Sequence, residues 1–204
     1  MGMDKATVLF RGRPMIEHAL GVLHAAGLPV LIAGARDDLK SFAPVVNDLA
    51  ASQGPLGGIC GALQATSVTR AVFIPVDLPC LPASLITSLH QIAQAAGSAV
   101  VVPSVNGFAQ TFPAVIDRRA QPALEAELAA GRRGCFSAFQ AAAAIRGEKV
   151  HVVATELLAQ SGQVTHPDGI PPARWLFNIN SAADLKHADT FSRSGHTQGS
   201  HRVS

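Results

Sequence analysis

The chain has 204 residues, 48% of them hydrophobic and 15% charged, with a formal net charge of +2. That composition supports a sizeable core and excludes a disordered chain. So mild a charge, with no basic cluster interleaved with aromatics, leaves no footprint for nucleic acid. Apolar runs such as Ala71 to Val76 are far too short to span a bilayer, and the N-terminus carries no apolar signal-peptide stretch. The three cysteines, Cys60, Cys80 and Cys135, are widely spaced without a CxxC pair. They read as free thiols in a reducing cytoplasm, and no His or Cys pair has zinc-ligand spacing.

Taken in chain order, Val8-Leu9-Phe10 predicts a short strand. Ile16, Ala19, Leu20 and Leu23 recur at helical spacing over 14–26, and Gly27 closes that helix. A continuous apolar strand is predicted over 29–33, a short helix over 37–42 and a strand at Val45-Val46. A Gly/Pro loop then leads into a helix over 57–66. Residues 71–76 form a buried strand ending on Asp77, followed by an amphipathic helix over 83–96 and a buried strand over 99–102. A strand over 111–116, helices over 122–130 and 136–145, and strands over 149–154 and 175–179 follow. Ser181 caps a last helix, with Asp184 three residues on. Strands apolar on both faces that alternate with helices predict an α/β, Rossmann-like fold, its mostly parallel sheet covered by helices on both faces. One domain is expected over 1–191. The polar, Gly/Ser-rich stretch 192–204 reads as a disordered tail, with His196 and His201 solvated.

Ligands of open parallel sheets bind beyond the carboxyl ends of the strands. Asp77 stands at such an end, stiffened by Pro79 and Pro82. It either holds a hard cation such as Mg²⁺ or caps the helix that starts near Ala83. Gly54-Pro55-Leu56-Gly57-Gly58 either lets backbone N–H groups approach a ligand or is a turn alone. Lys5 is a compact charge suited to phosphate oxygens, or a surface lysine. Asn178 and Asn180 flank Ile179 at a strand end, where amides suit a base or pterin edge, or close Asx turns.

In this order the set resembles the molybdenum cofactor guanylyltransferases, nucleotidyltransferases of the nucleotide-diphospho-sugar transferase type. It comprises Met1-Gly2-Met3-Asp4-Lys5, Gly12-Arg13-Pro14-Met15, Asp48 with Gly54 to Gly58, Asp77-Leu78-Pro79 and Asn178-Ile179-Asn180. The resemblance covers roughly 1–191. It implies transfer of GMP from GTP to molybdopterin-bound molybdenum cofactor, with release of pyrophosphate. Asp77 would hold Mg²⁺ and Lys5 would neutralise phosphates. Asp48, Pro55, Leu56, Gly57 and Gly58 would bind the nucleotide, and Asn178 and Asn180 would face the pterin side. A molybdoenzyme or a cofactor-delivery protein would be a further partner. Relatives that move cytidylyl or sugar-linked groups tend to carry Asp at the second amide position, so Asn180 is nearer the guanylyl pattern.

Three departures stand out. Thr111-Phe112-Pro113 lacks the family's His. Ala33-Gly34-Ala35-Arg36 replaces an Asn-rich stretch, and the insert over 161–172 is long. The family's first strand and Gly-rich phosphate loop are not in the sequence, so Met1 reads as an internal methionine of a longer chain. The alternatives are a cytidylyl or sugar-phosphate nucleotidyltransferase, or a non-catalytic nucleotide- or pterin-binding relative.

Overall fold

The computed structural model describes residues 4–48 and 54–191. The tail expected over 192–204 and the signature residues Met1, Gly2 and Met3 lie outside the described residues.

A hairpin opens the described chain, with β1 (Leu9–Phe10) antiparallel to β2 (Arg13–Pro14). Its turn residues Arg11 and Gly12 both have positive φ, 50° and 77°, the backbone that two-residue hairpin turns need. Helix α1 (Met15–Ala25) buries Met15, Ile16, Ala19 and Leu20 on one face. Strand β3 (Ile32–Ala33) pairs parallel with β4 (Val45–Val46) as a separate two-stranded sheet. Between them lies a 3₁₀ turn, Asp37–Leu39. Helix α2 (Gly54–Ala65) then leads to β5 (Arg70–Phe73). After β5 come α3 (Ala83–Ala96), β6 (Val100–Val105), β7 (Phe108–Ala109) and β8 (Ala114–Asp117). The remainder is α4 (Gln121–Ala129), α5 (Cys135–Ile145), β9 (His151–Ala154), α6 (Thr155–Gln160) and α7 (Ala182–Asp189).

The large sheet has five strands. Strand β6 runs parallel to β9 and antiparallel to β8, and β8 runs antiparallel to β5. Strands β5, β6 and β9 therefore point the same way, and β8 lies reversed between β5 and β6. The reversal comes from the β6–β7 hairpin, turned at Asn106 (φ 51°) and Gly107 (φ 79°). Asn-Gly is the strongest short hairpin signal, and it sends the chain back beside the strand it has just left.

Helices cover both faces, as the doubly apolar strands predict. Val101 and Val115 pack with Met15, Leu85 and Leu89 on one face. Val100, Val102, Ala114 and Ile116 pack with Leu56, Leu124 and Phe139 on the other. Adjacent strand residues point to opposite faces, so burying both kinds demands two helical layers. Full burial of each such aliphatic or aromatic side chain contributes about 1.5–3 kcal/mol.

The short helix expected over 37–42 is only the 3₁₀ turn Asp37–Leu39, and the strand expected over 71–76 ends at Phe73. Two further expected elements differ. The strand over 175–179 is absent among the described residues. Pro171 begins a 3₁₀ turn, Pro172–Arg174, and the next amides bond locally, Trp175 N to Pro172 O and Phe177 N to Arg174 O. Trp175 is instead a core side chain, its Nε1–H donating to Ile170 O at 2.7 Å. The helix expected from Gly57 begins earlier, at Gly54, so Gly57 and Gly58 lie inside α2 and not in a loop.

Candidate active site

Asp77 stands four residues past the last ladder residue of β5, Phe73. Pro75 lies between them and has no N–H to continue the ladder, so the chain is released there towards the carboxyl edge. Two anchors fix Asp77. Its backbone carbonyl accepts from Ile179 N at 2.9 Å. Its Oδ2 accepts from Lys5 Nζ at 2.9 Å. The same Lys5 Nζ donates to Asn180 Oδ1 at 2.5 Å. Lys5, Asp77 and Asn180, 175 positions apart at the extremes, thus meet around one ammonium group.

Burial is graded across the trio. The Asp77 side chain is 17% exposed and that of Lys5 43%. Asp77 Oδ1 is buried and has no hydrogen-bond partner among the described residues. An unsatisfied buried acceptor costs about 1–3 kcal/mol, so its retention calls for a reason. Among the described residues no three His, Cys, Asp or Glu side chains converge as a metal cage. A cation here would be held by the one carboxylate and completed by oxygens from elsewhere, the habit of Mg²⁺ bound with substrate phosphates.

Asn180 is itself held. Its backbone N–H donates to Asp184 Oδ2 at 2.9 Å, and Asp184 N donates to Ser181 Oγ at 3.1 Å. The expected cap at Ser181 is therefore present. Asp184 reaches back one residue further than a capping box does, onto Asn180. The Ser181 hydroxyl beside it, with the Asn180 amide, holds the Asp184 carboxyl below the usual carboxylate range. With Asn180 Oδ1 turned to Lys5, its amide nitrogen remains a donor. Asn178 is exposed and is not part of this trio.

Asp48 lies two residues past β4, partly buried. A Cβ on Gly58 would come within 3.2 Å of Asp48 Oδ1 and 3.4 Å of the Ala33 Cβ. The bare Cα of Gly58 is what lets α2 close on β3 with that carboxylate between them. Pro55 is exposed at the start of α2. Leu56 is wholly buried in the core, so its side chain packs the fold and only its backbone is available to a ligand.

One residue at this edge went unassigned by the sequence reading. Arg36, three residues past β3, holds two carboxylates at once. Its Nη1 and Nη2 donate to Asp4 Oδ1 and Oδ2 at 3.0 and 2.5 Å, and its Nε and Nη2 to Asp38 Oδ1 and Oδ2 at 2.9 and 2.7 Å. The guanidinium holds both carboxyls below their ordinary range, and they raise its own affinity for the proton. The signal was a basic residue just past a strand's carboxyl end and an acidic one beside Lys5.

The fold superposes on solved structures of other proteins. Against molybdopterin-guanine dinucleotide biosynthesis protein A from Archaeoglobus fulgidus the TM-score is 0.73 at 22% identity, over 92% of this chain and 89% of that one. Against 2-C-methyl-D-erythritol 4-phosphate cytidylyltransferase from Thermus thermophilus it is 0.66 at 19% identity, over 93% and 94%. At such identities the likeness is one of fold. A lysine, an aspartate and an asparagine are gathered at the carboxyl edge of this helix-covered sheet.

Residues 1–160 match the MobA-like NTP transferase domain, and the chain belongs to that family. The molybdenum cofactor guanylyltransferase of Pasteurella multocida (strain Pm70) is 32% identical over 190 residues, 91% of this chain and 89% of the relative. The one from Xanthomonas euvesicatoria pv. vesicatoria (strain 85-10) is 38% identical over 91 residues, where the match spans 46% of that relative's length.

Proposed function

We propose that the protein transfers GMP from GTP to the terminal phosphate of molybdopterin-bound molybdenum cofactor. The observation that carries this reading is the meeting of Lys5, Asp77 and Asn180 at the sheet's carboxyl edge. The acceptor is suggested by the names of the similar proteins, guanylyltransferases of the molybdenum cofactor.

In the proposed reaction a pterin phosphate oxygen attacks the α-phosphorus of GTP. A new P–O bond forms, the bond to the β-phosphate oxygen breaks, and pyrophosphate leaves with the electron pair. The nucleophile is already ionised at neutral pH, so no general base is required. The protein's task is alignment and charge. Lys5 would leave Asp77 for the incoming phosphates, since its four-carbon stem is flexible and 43% of the side chain is exposed. Asp77 Oδ1, already desolvated and unpartnered, would serve as a ligand for Mg²⁺. Bound there, Mg²⁺ would supply positive charge to the phosphate oxygens. Asp48, with the backbone at Gly57 and Gly58, would meet the ribose and guanine. Asn178 and Asn180 would face the pterin side, Asn180 with its free amide donor.

The fit of work to compartment is a cytoplasmic one. Cys60, Cys80 and Cys135 are free and buried, as in a reducing environment. No helix among the described residues is long and apolar enough to cross a membrane. A titration of the protein with GTP and with CTP in the presence of Mg²⁺ tests the reading. Tighter GTP binding is expected, and tighter CTP binding would transfer the chain to the cytidylyl enzymes.

A further inference from the structure

We infer that Arg36 is a positioning residue that aims Lys5. The inference takes its catalytic meaning from the guanylyl-transfer reading, but its structural content stands apart from it. Lys5 is the second residue of a tight turn, 4–7, in which Thr7 N and Thr7 Oγ1 both donate to Asp4 O at 3.2 Å. The Asp4 side chain closes the same turn from the other side, its Oδ1 accepting from Ala6 N at 3.2 Å. Ala6 O in turn accepts from Ile16 N at 3.0 Å, which ties the turn to α1.

Arg36 holds that carboxylate by both oxygens. A fork of this kind fixes the plane of a carboxylate, where a point charge would fix only its distance. The grip on Asp38, two residues along, fixes the guanidinium itself. An unbroken path therefore runs from the loop after β3 through Arg36 and Asp4 to the backbone of Lys5, and from Lys5 Nζ to Asp77 and Asn180.

The fork has a second consequence. Asp4 is the nearest carboxylate in sequence to Lys5 and would compete for its ammonium. With both oxygens engaged by Arg36, Asp4 is occupied, and Lys5 is left to Asp77, Asn180 and the phosphates that replace them. A displacement of about 1 Å at a reacting group can cost roughly 100-fold in rate, so a frayed turn has a large lever.

The test combines kinetics with hydrogen exchange on the full-length protein. Arg36→Ala is expected to lower kcat for GMP transfer by roughly 100-fold with a smaller change in KM, and Arg36→Lys to recover part of that loss. In a Lys5→Met background the same Arg36→Ala change is expected to alter the residual rate by less than about twofold, because there is no lysine left to aim. An equal loss in both backgrounds would overturn the inference and make Arg36 a general structural residue. Independently of activity, Arg36→Ala is expected to speed amide exchange at Ala6 and Thr7, and unchanged exchange there would also overturn it. A wild-type protein that fails to transfer GMP, while the variant shows the faster exchange, would sink the guanylyl reading and support the positioning role.

Discussion

Removing the Asp77 carboxylate should abolish catalysis without weakening the fold. In Asp77→Ala the protein loses the ion pair with Lys5, whose members are 17% and 43% exposed. A pair so open to water contributes no more than about 1 kcal/mol. The same change removes Oδ1, the buried oxygen without a partner, and relieves roughly 1–3 kcal/mol of unmet hydrogen bonding. The backbone bond from Ile179 N to Asp77 O does not depend on the side chain. Allowing for a small void, the net is a gain of about 1 kcal/mol, which raises Tm by roughly 2–4 °C for a chain of this size. Turnover should fall on the order of 1,000-fold, about 4 kcal/mol in barrier, as for loss of a principal charge-stabilising group. The assays are a thermal melt and pyrophosphate release from GTP in the presence of acceptor and Mg²⁺. Turnover within about tenfold of wild type, or a Tm lower by more than about 4 °C, would refute the argument that Asp77 is held strained for a ligand.

Other sites make separate demands. Gly58→Ala places a methyl 3.2 Å from Asp48 Oδ1, so Asp48 must shift by a few tenths of an ångström. Helix propensity offsets the crowding by about 1 kcal/mol, and the expected result is a near-normal melt with several-fold weaker GTP binding. Unchanged GTP affinity would remove Asp48 from the nucleotide site. Asp117 has a fully buried side chain that is forked by Arg119 and touched by Arg70 and Arg146, whose own side chains are 64%, 13% and 23% exposed. The hydrogen bonds from Arg119 hold the Asp117 carboxyl below its ordinary range. Its stabilising contribution is therefore complete above the unfolded value, about 3.9, and is lost as pH falls through the lower folded value. Asp117→Asn should cost about 3 kcal/mol at pH 7, chiefly by stranding Arg70, while Arg146 keeps Glu148 and the Gly97 carbonyl, and should flatten the acid limb of a urea-midpoint-against-pH curve. An unaltered acid limb would contradict this. Burial pushes the Cys60, Cys80 and Cys135 thiols up to about 11, so at pH 8 the native protein should resist iodoacetamide while the unfolded chain labels at all three. Rapid labelling of the native protein would place at least one thiol outside the core.

Much of the fold was legible because the signals were local. The helix over 83–96 was read at its observed bounds from its apolar spacing, with Gly97 in the left-handed conformation just beyond it. Val100 to Val102, buried on both faces, announced the helical layers above and below. The strand expected over 111–116 is present as β8 (Ala114–Asp117), but its reversed direction was missed although Asn106-Gly107 carried the signal, because strand direction is set by the turn and not by hydrophobicity. The strand expected over 175–179 failed for a different reason. Its apolar run, Trp175-Leu176-Phe177, does bury its first two residues, but Pro171 and Pro172 turn the chain locally and no ladder partner is met.

At the site, Lys5, Asp77 and Asn180 were each open to a plainer reading and were grouped only by the order of motifs that resembles a known family; of the three, only Asp77 follows an observed strand. What no local pattern could reveal is that these three share one ammonium group, since that contact joins opposite ends of the chain. Arg36 was hidden for the same reason, its fork with Asp4 spanning 32 positions. Leu56 was misleading in the opposite sense. It lies within the Gly/Pro motif but is there for the core, where it is wholly buried.

The most direct test of the central claim is nucleotide-dependent pyrophosphate release with molybdopterin-bound cofactor as acceptor. Release is expected with GTP and Mg²⁺, with little from CTP and on the order of 1,000-fold less from Asp77→Ala. Release with CTP in preference to GTP, or turnover of Asp77→Ala within about tenfold of wild type, would contradict the proposed reaction.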